Sequence, residues 1–166
     1  MPYSSRGFCI VNVSSFAGHV LPKVLVPRHV FKKVEISPKA MSDKLKSYVH
    51  HFPKKQRSNI AYPVSKTFVI WYSKHIAAEL GTREAHIVSV SPGSFSTPMG
   101  EKESDNGAAA LTQLGAIKRF GRPEEIASVL AYLAEKSPVY LTATDIAVDG
   151  GDSGLMTKKD MANMAK

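Results

Sequence analysis

The chain has 166 residues and a formal net charge of +8, with 43% apolar and 22% charged residues. Those figures suit one soluble globular domain with a real core and exclude a disordered or fibrous chain. The single cysteine, Cys9, excludes an internal disulfide framework and a cysteine-based zinc site. No apolar run approaches the roughly 18–20 residues that a spanning helix needs.

Gly7–Val13 reads as a buried strand, apolar and rich in β-branched Ile10, Val11 and Val13. Its apolar part, Phe8–Val11, is too short for a signal-peptide core, so the expected address is cytoplasmic. The strand ends in the small polar pair Ser14-Ser15, followed by Gly18.

From His19 to Ser58 the chain holds ten Lys or Arg and two acids, while the rest carries twelve of each sign. The basic character therefore belongs to one segment, read as an insertion at about 19–58 in a single domain spanning 1–166. Four of the six histidines lie there: His19, His29, His50 and His51. Pro22, Pro27, Pro38 and Pro53 interrupt it, and Lys39–His51 fits a short helix with Met41, Leu45, Tyr48 and Val49 on one face. Such a patch suits phosphate or anionic lipid, or it is a solvated surface loop. Zinc-finger spacing, an RNP-like aromatic strand and a helix-turn-helix are all absent, which argues against nucleic acid. His50 and His51 are adjacent, so they do not form an i, i+4 metal pair.

A helix is expected over about Ser58 to Leu80, with Phe68, Val69, Tyr72, Ile76 and Leu80 at helical spacing and Gly81 at its stop. His86–Val90 reads as a second strand, halted by Pro92-Gly93. The Ala-rich stretch Asn106–Leu114 is expected to be helical. Pro123–Lys136 is the clearest helix. Proline suits its first position, Glu124 and Glu125 suit the positive end of its dipole, and Ile126, Val129, Leu130 and Leu133 form a full stripe. Asp145–Val148 is a short strand ended by Asp149-Gly150-Gly151. Strands alternating with helices predict an α/β fold, a parallel sheet with helical crossovers. Ligands bind beyond the carboxyl ends of such strands, where Ser14-Ser15 and Ser91 through Thr97 lie.

Tyr62 and Lys66 are four apart at the start of a helix and share a face. An ammonium near a phenol favours the phenolate, so the pair can exchange a proton with a carbonyl or an alcohol. Ser15, from a separate strand end, could hold the substrate oxygen. Taken alone, such a pair is an ordinary helix face.

The company changes that. The strand reads Ile10-Val11-Asn12-Val13-Ser14-Ser15, and the helix then begins Tyr62-Pro63-Val64-Ser65-Lys66. Next come Ser91-Pro92-Gly93-Ser94-Phe95-Ser96-Thr97, Gly121-Arg122-Pro123-Glu124-Glu125-Ile126-Ala127 and Val148-Asp149-Gly150-Gly151. In this order the set resembles the short-chain dehydrogenase/reductase family. The basic stretch between Ser15 and Tyr62 is similar to that of the bacterial 3α-hydroxysteroid dehydrogenase/carbonyl reductase branch.

The resemblance implies an NAD(P)-dependent oxidoreductase that interconverts a carbonyl and a secondary alcohol, with a steroid or xenobiotic carbonyl among its substrates. Tyr62 would be the general acid and base. Lys66 would lower the Tyr62 pKa and bond the nicotinamide ribose. Ser15, rather than Ser14, would bond the substrate oxygen. Pro92 and Gly93 would shape the turn beside the nicotinamide, and Thr97 would reach its carboxamide. Residues from about Met99 to Ile117 would form a mobile substrate lid. Each also has a plainer reading: Ser15 as turn chemistry, Pro92-Gly93 as a turn, Thr97 as a helix cap.

The family's fold begins with a strand, a glycine-rich turn and a helix that holds the pyrophosphate. None of the eleven glycines falls in such a motif. The expected fold is therefore a partial Rossmann-like doubly wound parallel sheet without its N-terminal strands, with Gly7–Val13 as an open edge. The catalytic half would then stand without its cofactor half. Homo-oligomerisation, or pairing with a related chain, is expected in consequence. Ala143 stands where the family has glycine, and a turn of positive φ there would cost about 1 kcal/mol. The alternative to an enzyme is a non-catalytic remnant or partner-dependent interaction protein. A third reading is a module that binds anions through the basic segment.

Overall fold

A computed structural model describes residues 7–98, 100, 112–157 and 160. Three parallel strands, β1 (Cys9–Val13), β2 (His86–Pro92) and β3 (Thr144–Val148), form one sheet in the order β1-β2-β3. The register sets Asn12 beside Ser89 and Ser89 beside Asp145. Side chains alternate across a strand, so the register also defines two different faces.

The helices are α1 (Arg28–Phe31), α2 (Pro38–His50), α3 (Arg57–His75), α4 (Ala77–Gly81), α5 (Pro123–Glu135) and α6 (Asp152–Leu155). One sheet face is mostly apolar, with buried His86 at its amino end bonded to Ser137 just past α5 at 2.9 Å. Val88 and Val90 pack there with Val11, Ile146 and Val148 against Ile126, Val129, Leu130 and Leu133 of α5. On the other face Ile87 and Ile10 meet Ala77 and Leu80 of α4, near the amino ends of the strands. Toward the carboxyl ends that face turns polar, where Asn12 Nδ2 donates to Ser73 Oγ of α3 at 3.0 Å. With α5 on one face and α3 and α4 on the other, the sheet is doubly wound, as the alternation of elements predicts.

The basic segment folds as helices docked on α3. Ser37 caps α2 by accepting the Ala40 N–H, and Tyr48 Oη donates to the Leu25 carbonyl at 2.7 Å. Phe31, fully buried, meets the rings of Phe68 and Trp71 with centroids 5.3 and 5.6 Å away. His75 of α3 bonds Glu35 Oε1 at 2.6 Å. His50 and His51 each turn the Nδ1 side back to a carbonyl one helical turn earlier, Lys46 and Ser47.

One expectation needs correction, and another falls mostly outside the described residues. The helix expected over Ser58 to Leu80 is two helices, because the backbone leaves helical geometry at Ile76 (φ −89°, ψ −2°) before α4 begins. The Ala-rich helix expected over Asn106–Leu114 lies outside the described residues as far as 111, and 112–114 form a turn. Pro123 does open α5, and Glu125 reaches back to accept the Arg122 N–H at 2.7 Å. A bidentate pair with Arg119, at 2.8 and 2.9 Å, holds the Glu125 carboxyl well down, at about 2. Among the described residues no helix is long and apolar enough to cross a membrane.

Candidate active site

Ser15 follows the carboxyl end of β1 and Gly93 that of β2, while Tyr62 and Lys66 stand on α3. The Ser14 N–H donates to the Val90 carbonyl and continues the β1–β2 ladder by one step. The Ser14 side chain is buried, and its Oγ donates to the Lys66 carbonyl at 2.9 Å. Gly18 lies against the same turn of α3: a Cβ there would stand 2.7 Å from Ile70 Cδ1. Thr67 Oγ1 donates to the Gly18 carbonyl at 3.0 Å. The strand end and the Lys66 turn of α3 are thus joined at several points.

Ser14 is structural and Ser15 is presented. Ser15 is half-buried and caps the 3₁₀ turn Phe16–His19, its Oγ accepting the Ala17 N–H at 3.2 Å. The plainer turn role is therefore real. It uses a lone pair of the hydroxyl and leaves the proton to donate elsewhere.

Tyr62 is 53% exposed on α3, with the Lys66 Nζ 5.7 Å from its ring centroid. The Lys66 ammonium makes no ion pair with a described carboxylate. The pair therefore presents a phenol and a cation together on an accessible helix face. Pro63, buried beside them, removes one helical hydrogen bond in the second turn of α3.

Pro92 ends β2, and the Gly93 N–H donates to the Val148 carbonyl at 3.0 Å. Gly93 is needed there because a Cβ would stand 2.7 Å from both Cα and Cβ of Asp149. Asp149 in turn accepts the N–H groups of Gly151 and Ser153, each at 2.9 Å, which shapes the turn after β3. Thr97 Oγ1 accepts the Gly100 N–H at 3.0 Å, the capping role that was its plainer reading. The expected lid, Met99 to Ile117, lies outside the described residues except for Gly100 and 112–117.

A cleft of about 550 Å³ opens between Ser94 and Phe95 on one side and the turn Asp149–Gly154 on the other. Arg119 and Glu125 also line it, whereas Ser15, Tyr62 and Lys66 do not. Asp152, 3% exposed, borders it, and burial together with the Asp149 charge raises its carboxyl to about 6.

A buried network around Asp145 was not anticipated from the sequence. Ser89 and Ser91 both donate to Asp145 Oδ1, and His19 Nε2 donates to Oδ2 at 2.8 Å. Burial pushes the Asp145 carboxyl up, but these three bonds outweigh it and hold the group below its ordinary range. The available signal was an acid inside an otherwise apolar strand, facing alternate serines of the neighbouring strand; a buried carboxylate demands such partners.

A family profile described as enoyl-(acyl carrier protein) reductase matches residues 45–153. A 3-oxoacyl-[acyl-carrier-protein] reductase of Thermotoga maritima is 38% identical over 90 residues, which are 54% of this chain and 37% of the relative. A human (3R)-3-hydroxyacyl-CoA dehydrogenase is 36% identical over 90 residues, 54% of this chain and 34% of that protein. Among solved structures, a short-chain dehydrogenase/reductase from Serratia marcescens superposes with a TM-score of 0.62 at 27% identity, covering 90% of this chain and 47% of its own. The chain thus spans between a third and a half of the length of these relatives.

Proposed function

The chain belongs to the short-chain dehydrogenase/reductase family, and from that premise we propose that it works as an NAD(P)-dependent oxidoreductase on a carbonyl and secondary-alcohol pair. The observation that carries the proposal is the Tyr62–Lys66 face of α3, whose Lys66 turn is tied to the Ser14-Ser15 strand end by the Ser14 Oγ bond. In this reading Tyr62 Oη gives its proton to the carbonyl oxygen during reduction and takes it back during oxidation. Ser15 donates a hydrogen bond to the same oxygen. The Lys66 ammonium stabilises the negative charge that develops on the phenol oxygen.

The nicotinamide end of the cofactor fits these residues: the Lys66 ammonium, in no ion pair with a described carboxylate, suits ribose hydroxyls, and the Pro92-Gly93 turn lies at the adjacent strand end. When bound, the nicotinamide supplies or accepts the hydride. Thr97 would bond its carboxamide while also capping Gly100. The names of the relatives suggest 3-oxoacyl and 3-hydroxyacyl compounds as substrates. The helical basic segment between Ser15 and Tyr62 favours the 3α-hydroxysteroid dehydrogenase/carbonyl reductase pattern, so steroid and xenobiotic carbonyls belong in the same screen.

Replacing Tyr62 by Phe should abolish NAD(P)H-dependent turnover and leave the circular dichroism spectrum and Tm as they are, since the ring is exposed. Full activity in Tyr62→Phe overturns the proposal. The outer edge of β1, which no described strand covers, favours a second reading, a chain that acts only with a partner. Nicotinamide binding by the isolated chain, as tight as that of a full-length relative, excludes it.

A further inference from the structure

We propose that His19 and Asp145 form a clamp that positions the turn carrying Ser15, an inference that rests on the reading of Ser15 as the residue that binds the substrate oxygen. Asp145 stands on β3, an outer strand of the described sheet, with its side chain only 6% exposed. Taking a carboxylate out of water is costly, and an apolar side chain would fill that face at less cost. What the carboxylate adds is reach. Its Oδ1 is held by Ser89 and Ser91 of the neighbouring strand, and its Oδ2 leaves the sheet to accept from His19.

His19 is the last residue of the 3₁₀ turn Phe16–His19, which Ser15 begins as its cap. That turn is held on the α3 side through the Thr67–Gly18 bond, and just before it through the Ser14–Lys66 bond. The His19–Asp145 bond ties the carboxyl end of the turn, next to Gly18, to β3 as well. A short turn gripped at both ends cannot swing, so Ser15 keeps a constant position relative to the Lys66 turn. His19 and Asp145 are therefore positioning residues; neither touches the reacting atoms.

Amide hydrogen exchange on the full chain tests the clamp. The N–H groups of Ala17 and Gly18 bond to Ser15 Oγ and to the Ser15 carbonyl, so their exchange reports the turn. In His19→Leu, exchange at these two amides should rise about tenfold relative to Val88 and Val90 in β2, the order expected for one lost charge-assisted hydrogen bond. His19→Gln keeps a donor and should restore most of the protection. Asp145→Asn keeps the side-chain volume and should loosen the same two amides, which guards against a His19→Leu chain that fails to fold. Unchanged exchange at Ala17 and Gly18 in the folded variants, or an equal rise at all four amides, overturns the clamp. In a carbonyl-reduction assay His19→Leu should lower kcat with KM for the nicotinamide unchanged, and His19→Gln should recover it. If exchange behaves as described while wild-type protein shows no turnover, the clamp stands and the role given to Ser15 fails.

Discussion

At Gly93 and Ala143 the backbone constrains the residue in opposite directions. A Cβ on Gly93 would press against the Asp149 backbone, which cannot rotate away as a side-chain tip could. Gly93→Ala should therefore cost about 2 kcal/mol in urea unfolding, the usual penalty for overpacking. Ala143 has φ 54°, in the left-handed region, just before β3, where its N–H donates to the Ile87 carbonyl at 2.9 Å. Ala143→Gly relieves that strain and should raise stability by about 1 kcal/mol in the same measurement. Ser15 and Thr97 teach a different lesson. Each hydroxyl already accepts a backbone N–H, and that capping bond leaves its proton for the ligand role proposed above.

Elements show where periodicity informs and where it stops. The stripe Ile126, Val129, Leu130 and Leu133 was legible because α5 packs it on Val88, Val90, Ile146 and Val148 of one sheet face. Leu133, 1% exposed, is the centre of that contact, and Leu133→Ala should cost about 3 kcal/mol by thermal or urea unfolding. The break at Ile76 was not legible, since the apolar spacing of Phe68, Tyr72, Ile76 and Leu80 runs straight through it. A bend that skips no apolar position leaves no mark on a periodic pattern. The Asp145 network was hidden for another reason: His19 is 126 residues away in sequence, and only the sheet register brings the two together. The short element α6 begins with Asp152, whose carboxyl has an ordinary value of 3.8 and is raised to about 6 in the fold. The folded state then holds a proton that the unfolded chain has released. Stability from this group is complete below about pH 4 and is lost as pH rises through 6, by about 3 kcal/mol. Asp145 and Glu125 are shifted the opposite way, so the difference between wild type and Asp152→Asn is the quantity to follow. That difference should favour Asp152→Asn above pH 6 and vanish near pH 4.

Across the whole molecule, the motifs at the strand ends were readable because each is local, and the sheet assembles them without long-range adjustment. The edges are another matter. β1 has β2 on one side and no described strand on the other, and Val13 at its end is 50% exposed. An uncharged edge of this kind is a template for pairing. Sedimentation should show association that rises with concentration, and Val13→Lys should shift the population toward monomer. The basic segment joins the rest by a narrower seam, built from Phe31 on α3 and the Glu35–His75 bond. Trp71, the one tryptophan in the chain, lies on that seam, 5.6 Å from Phe31 and stacked on His75 with centroids 4.3 Å apart. The protein thus carries its own optical label at the joint. If the segment lifts from α3, the indole loses Phe31 and meets more water, and its emission shifts to the red without any added dye.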